Sequence, residues 1–228
     1  MSISETDQHS QERQDLLSTV ADSINKLSQR HIRRVAVDGV DGAGKTIFAD
    51  ELGKVLQAKR ATVIRASVDA FHNPKAVRYR MGRTSPEGFF LDSYNYSELK
   101  AALLDPLSPG GSGKHRTAAF DHLSDAPVLD NETQAHPGSI LVLDGIFLHR
   151  KELRAYWDFS IFIDVAFNVS VLRMAQRDGS SPDPEVMKNR RYIEGQKLYL
   201  SECEPRQYAT LTIDNNVLET PRIIAKNL

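Results

Sequence analysis

Residues 39–46 read Gly39-Val40-Asp41-Gly42-Ala43-Gly44-Lys45-Thr46, a set of types and spacings suited to gripping a polyphosphate. Glycines at 39, 42 and 44 let backbone N–H groups converge on phosphate oxygens that side chains there would obstruct. Lys45 supplies positive charge opposite the β and γ phosphates of a nucleoside triphosphate, and Thr46 offers its hydroxyl to Mg²⁺. Asp41 and Ala43 complete the nucleotide-binding loop, with Asp41 read as an outer or capping group.

Two aspartates stand where such a loop needs partners. Asp69 closes the stretch 62–69 and can position or deprotonate an incoming hydroxyl, or touch a metal-bound water. A turn or capping Asp would occupy the same kind of position. Asp144 ends Ile140-Leu141-Val142-Leu143 and precedes Gly145, which suits a carboxylate that orders the Mg²⁺ hydration shell; a structural strand-end Asp is the alternative. Further on, Arg173 and Arg177 lie four apart on one helical face, before Asp178-Gly179-Ser180-Ser181-Pro182. They read as a lid over 173–184, whose guanidinium groups stabilise charge on a transferring phosphoryl group while closure excludes water.

The stretch 73–96 mixes arginines with aromatics and has no regular period. From it Tyr79 and Arg83, with His115 and Arg116 from a later insertion and Arg191 beyond the lid, are the candidate contacts to an acceptor. Solvent-facing arginines and core aromatics are the alternatives for this group.

These residues require particular elements behind them. Val35-Ala36-Val37 is a strand running into the loop, and Phe48, Leu52, Val55 and Leu56 put an apolar stripe on the helix that follows. Further strands are predicted at 62–67, 140–144, 159–164 and, as the last, 211–214, with helices at 12–29, 97–104, 149–156, 168–177 and 185–203. Residues 1–11 are expected to lack order. Four prolines and Gly110-Gly111-Ser112-Gly113 make 105–138 an insertion of loops or a small hairpin. Short apolar strands alternating with helices give an α/β fold, a three-layer sandwich around a mostly parallel sheet, as one domain over 1–228.

Composition narrows the partners. With 29 basic and 30 acidic residues, there is no electrostatic case for a nucleic-acid polymer. Apolar runs fall far short of the roughly 20 residues that span a bilayer. The first residues carry neither a secretory nor a transit pattern, and the single cysteine, Cys203, fits a reducing compartment, so cytoplasm is the expected location. Homo-oligomerisation stays open. Ser112-Gly113-Lys114 is half of a second phosphate loop, but His115 follows where Ser or Thr is required.

In order along the chain, 39-GVDGAGKT-46, 67-SVDAFH-72, 92-DSYNY-96, 144-DG-145 and 173-RMAQRD-178 resemble the uridine kinase and phosphoribulokinase-like group of P-loop kinases. The resemblance implies a P-loop nucleoside triphosphate hydrolase-like fold, Asp69 as the acceptor-side aspartate, and Arg173 and Arg177 as lid arginines. It also implies an acceptor-covering hairpin at 106–121 that brings His115 and Arg116 near a nucleoside. Two features depart from the group: Asp144 stands where the nucleoside kinases usually carry glutamate, and 114-KHRTAAFDH-122 does not cleanly reproduce the tyrosine-and-histidine arrangement of their base-binding hairpin. The expected activity is transfer from ATP with Mg²⁺ to a small-molecule alcohol, foremost the 5′-hydroxyl of a pyrimidine nucleoside, uridine or cytidine. A sugar phosphate, a pantothenate-like acid or nicotinamide riboside is the alternative acceptor, and a non-catalytic nucleotide-binding regulator the alternative class.

Overall fold

A computed structural model describes residues 5–129 and 131–227. In chain order the elements are α1 (Glu5–Asn25), β1 (Arg33–Gly39), α2 (Lys45–Ala58), β2 (Val63–Ser67), α3 (Lys75–Arg78), α4 (Pro86–Asp92) and α5 (Tyr96–Leu99). They continue with β3 (Lys114–His115), β4 (Phe120–Asp121), β5 (Ala126–Pro127), β6 (Thr133–Gln134), β7 (Ile140–Gly145), β8 (Phe159–Asp164), α6 (Phe167–Asp178), α7 (Met187–Cys203), α8 (Pro205–Tyr208), β9 (Leu211–Asp214) and β10 (Arg222–Lys226). The central sheet has six strands in the order β10-β9-β8-β1-β7-β2. All pairings are parallel except β10 with β9.

Both faces of the sheet are covered, which explains why its strands read as continuous apolar runs. Successive side chains go to opposite sides. Val35 and Val37 of β1, Ile140 and Val142 of β7, and Ile161 and Ile163 of β8 pack with Val20, Ile24, Phe48 and Leu52 of α1 and α2. Ala36, Leu141, Leu143 and Phe162 face the other way, toward Phe89 and Phe90 of α4, Leu99 of α5 and Tyr199 of α7. Cys203 is buried at the end of α7, and desolvation pushes its thiol up to about 11, away from reactivity. No described helix is long and apolar enough to cross a membrane.

Several expected boundaries change. Residues 1–4 lie outside the described residues, but from Glu5 onward the stretch expected to lack order is helical. Its polar sequence carries no apolar stripe, so periodicity could not reveal it, whereas Glu and Gln favour a helix intrinsically. The same helix stops at Asn25 rather than 29, where Arg33 takes the Ile24 carbonyl and the Asn25 side chain as acceptors at 3.3 Å. The helix expected at 149–156 reduces to one 3₁₀ turn, Arg154–Tyr156. There the His149 N–H is claimed by Asp38 and the Tyr199 hydroxyl, and the Leu148 carbonyl by the Trp157 indole, so tertiary partners replace a helical ladder. Finally, β9 is not the last strand. β10 adds an antiparallel edge whose alternating exposure, irregular pairing and short Ile223-Ile224 run gave little pattern to detect.

Candidate active site

The carboxyl ends of β1, β2 and β7 converge on the phosphate loop, as expected for ligand sites of open parallel sheets. The loop turns tightly between β1 and α2, with φ of 71° at Gly42 and 89° at Gly44. A Cβ on Gly42 would stand 2.3 Å from the carbonyl oxygen of Ser170 in α6, so this glycine admits the close approach of α6 as well as the turn. Gly42→Ala is therefore expected to destabilise the fold by about 2 kcal/mol. Thermal melting should register this as a drop of roughly 4–8 °C.

Side chains hold the loop from three sides. Asn215 Nδ2 donates to the Ala43 carbonyl at 2.8 Å. Gln196 of α7 accepts the Asp41 N–H through Oε1. Lys45 is buried at the start of α2, and its Nζ donates to the Val40 carbonyl at 2.8 Å across the loop.

Thr46 and Asp144 meet directly. The threonine hydroxyl donates to Asp144 Oδ2 at 2.7 Å, and Asp144 is buried at the end of β7. Sequence reasoning missed Arg65, which rises from neighbouring β2 to place Nη2 3.0 Å from Asp144 Oδ1 and 2.8 Å from Asp50 Oδ1. The only clue was an arginine inside an apolar strand. Two oxygen donors on adjacent elements fit an octahedral cation that completes its shell with water and phosphate oxygens. Among the described residues there is no cluster of three or more His, Cys, Asp or Glu suited to an all-protein metal cage.

Asp69 lies in a 3₁₀ turn, Val68–Phe71, that continues from β2. It is not the cap of that turn: Ser67 is, its hydroxyl accepting the Asp69 N–H at 3.3 Å. The Asp69 carboxylate is exposed and accepts the Tyr94 hydroxyl at 2.8 Å. Burial, and then the Asp69 charge, raise the Tyr94 phenol well above its ordinary value, so it stays a donor. Asp41 connects this group to the loop. Desolvation raises its carboxyl pKa, Lys45 opposes that, Asp69 adds to it and Arg177 again opposes it. Asp41 of the phosphate loop therefore feels the charges of Lys45, Asp69, Arg177 and Asp178 together.

The two lid arginines differ. Arg173 is tied down, its Nη2 donating to the carbonyls of Asn215 and Asn216 at 2.9 and 2.8 Å. Arg177 is 68% exposed in its side chain and pairs with the adjacent Asp178 at 3.0 Å. Both line a cavity of about 580 Å³ with Gly42, Gly44, Lys45, Thr46 and Leu218. The sequence 173–178 belongs to α6, and Gly179 ends the helix with φ of 73°, so the irregular part of the expected lid is confined to the following residues before α7.

The acceptor candidates disperse more than the sequence suggested. His115 is buried in the β3–β6 hairpin, with Nδ1 3.0 Å from the Gly113 carbonyl and Nε2 3.2 Å from the Thr133 hydroxyl. Arg191 is also buried and serves as a brace, donating to the backbone carbonyls of Arg78, Gly82 and Arg83. Its guanidinium lies 4.8 Å from the Tyr79 ring, which Arg83 flanks at 5.4 Å. Arg116 pairs with Glu98 at 2.8 Å. It lines a cleft of about 350 Å³ with Phe71, His72, Asn95 and Phe120. The insertion consists of two small hairpins, β3 with β6 and β4 with β5, and the Ala119 N–H anchors it to the Ala70 carbonyl beside Asp69 at 2.9 Å. His72 and His122, which sequence reasoning did not select, stack 4.7 Å apart, and His72 lies 4.5 Å from Tyr94. Burial lowers the His72 pKa, keeping that ring neutral around pH 7.

Comparison with known proteins bears on the family and the fold. Residues 35–182 match the family model "Phosphoribulokinase / Uridine kinase family". A curated relative, uridine-cytidine kinase B of Dictyostelium discoideum, is 26% identical over 155 residues, 68% of this chain; the match spans 61% of that relative's length. The structure of a possible uridine kinase from Bacillus stearothermophilus superposes with a TM-score of 0.68 at 19% identity, covering 87% of this chain and 97% of that one. Phosphoribulokinase from Rhodobacter spheroides gives a TM-score of 0.54 at 16% identity, with coverages of 87% and 75%.

Proposed function

The chain belongs to the phosphoribulokinase / uridine kinase family, and from that premise we propose that it transfers the γ-phosphoryl group of ATP to the 5′-hydroxyl of a pyrimidine nucleoside, uridine or cytidine. The observation that carries the reading is the gathering of Lys45, Thr46 and Arg177 around one cavity, with Asp69 just past the carboxyl end of β2. It combines a phosphate grip, an exposed carboxylate held by Tyr94 and an exposed cation.

In this reading Lys45 and the loop N–H groups hold the triphosphate, while Thr46 and Asp144 would hold Mg²⁺. When bound, the metal neutralises charge on the phosphate oxygens. Asp69 orients the acceptor hydroxyl and accepts its proton as the new O–P bond forms. Arg177 approaches the phosphoryl oxygens on closure, and α6 with the residues before α7 keeps water out.

Two features support an uncharged acceptor over a sugar phosphate or an acid. Most of the nearby arginines already have protein partners: Arg80 is paired with Asp92 at 2.7 Å, Arg78 with Asp125 at 3.4 Å, and Arg191 with backbone carbonyls. Beside Asp69 lie the half-buried rings of His72 and His122 against the buried Tyr94, an aromatic group that suits a flat base. Uridine or cytidine incubated with ATP and Mg²⁺ should yield the 5′-monophosphate, read by product analysis against a panel of other alcohols. Product from a different alcohol alone would replace the acceptor; nucleotide binding without any product would leave a regulator.

Arg177→Ala is expected to slow single-turnover transfer by about tenfold or more while changing the ATP dissociation constant by less than about threefold, because its contact belongs to the closed state. Parallel loss in both measurements would make it a ground-state phosphate ligand.

A further inference from the structure

Two segments outside the stretch that matches the family, α1 and the loop after β9, meet behind the large cavity beside the phosphate loop. Asn215 is fully buried where they join. Its N–H donates to the Asp164 carbonyl at 3.0 Å, its Nδ2 to the Ala43 carbonyl at 2.8 Å, and its own carbonyl accepts from Arg173 at 2.9 Å. Three residues on, Leu218 lines the cavity, its Cδ2 3.7 Å from the place a Cβ would take on Gly44.

Arg13 of α1 reaches this loop from behind. Nη1 donates to the Leu218 carbonyl at 2.8 Å and reaches Asn215 Oδ1 at 3.4 Å. The other edge of the guanidinium is fixed by Glu51 of α2, with Nε and Nη2 at 2.9 and 2.7 Å from Oε2. Its face lies 5.9 Å from the Phe48 ring, and the side chain is only 14% exposed. An arginine fixed by a carboxylate on one edge and a ring on its face presents its remaining donors rigidly. The loop it braces, between β9 and β10, has no regular structure of its own.

We propose that Arg13 is a positioning residue for the donor site: through it α1 holds the segment 215–218 so that Leu218, which lines the cavity together with Met174 and Ile47, forms the apolar surface on which the donor's base rests. This inference depends on the reading above, that the cavity takes ATP. Base and phosphates are then held by separable parts. Lys45 and the loop N–H groups take the phosphates, and the braced segment takes the base.

Binding of Mg·ATP and of Mg·tripolyphosphate, which carries the phosphates without a base, tests the separation by calorimetry or competition. Arg13→Ala is expected to weaken ATP by about five- to tenfold, the effect of losing one charge-assisted hydrogen bond and the order it imposes. Tripolyphosphate affinity should stay within about twofold of wild type, which also certifies that the variant is folded. Arg13→Gln, which keeps a shorter polar arm, should fall between the two. In turnover the KM for ATP should rise with kcat unchanged. Asp22→Asn removes a different α1 contact, the 2.7 Å pair with Lys59, and should leave both ligands unaffected. Wild-type ATP affinity in Arg13→Ala, a parallel loss of tripolyphosphate, or an equal effect of Asp22→Asn would each overturn the proposal. Wild-type protein that binds neither ligand would overturn the donor reading itself, a result distinct from the other three.

Discussion

Lys45→Ala is expected to lower phosphoryl transfer by at least about a hundredfold, equivalent to roughly 2.7 kcal/mol of transition-state stabilisation. The ammonium group lies at the first turn of α2 and presently donates to the Val40 carbonyl across the loop. Its positive charge also appears among the influences on Asp41, opposing desolvation there, so it acts on the interior of the site rather than on solvent. Alanine removes that charge and the Val40 contact, while the loop keeps its ties to Asn215 and Gln196. The apolar packing of α2 rests on Phe48, Ala49, Leu52 and Leu56, none of which the substitution touches. The variant should therefore melt close to the wild-type protein and still lose activity. Initial rates with purified protein, beside a melting curve, check both halves. Wild-type turnover would remove Lys45 from the phosphate site, and collapse of the melting transition would show a structural role instead.

How much of this arrangement could be read from the sequence depended on the range of the interactions involved. The phosphate loop, β1 and α2 are contiguous, and their signals are local: glycines that need positive φ, a β-branched run before them and an apolar stripe after. The parallel strands were legible for the same reason, since burial on both faces leaves continuous apolar runs. Asp144 could be placed at a strand end, but not its ion pair with Arg65, because strand order brings β2 beside β7 across more than seventy residues of chain. The acceptor side was the least legible. Arg191 and His115 have residue types that suit ligand contact, yet whether such a side chain faces a cleft or ties down backbone carbonyls is decided by packing against distant segments. Periodicity was silent on that choice. Asp38, His149 and Tyr199 illustrate the same limit: three polar residues from β1, the loop after β7 and α7 form one buried cluster behind the phosphate loop, with no motif to announce it.

Asp69→Asn is expected to retain Mg·ATP binding and to lose transfer to the acceptor by roughly a hundredfold or more. The geometry makes this substitution unusually clean. Tyr94 donates its hydroxyl to Asp69 Oδ1, and asparagine keeps an oxygen able to accept that bond, so the side chain can hold its present orientation. The turn itself is capped by Ser67, not by the aspartate, and should survive the change. What disappears is the negative charge that draws the acceptor hydroxyl into line and receives its proton. An alcohol holds its proton tightly, so transfer has to accompany O–P bond formation, with Lys45 and Arg177 countering charge on the phosphoryl oxygens. Removing the carboxylate also removes a negative charge that would repel the triphosphate, so nucleotide binding should be unchanged or slightly tighter. The measurement pairs ATP affinity with single-turnover transfer to uridine or cytidine. Loss of transfer with affinity kept supports the base role and, where the wild-type product is the 5′-monophosphate, the nucleoside reading with it. If the wild-type protein instead phosphorylates another alcohol with the same dependence on Asp69, the mechanism stands and the acceptor changes. Full activity of the asparagine variant on every acceptor would leave the carboxylate a structural anchor for Tyr94 and move the search for the base to Asp41, another carboxylate within the same electrostatic neighbourhood.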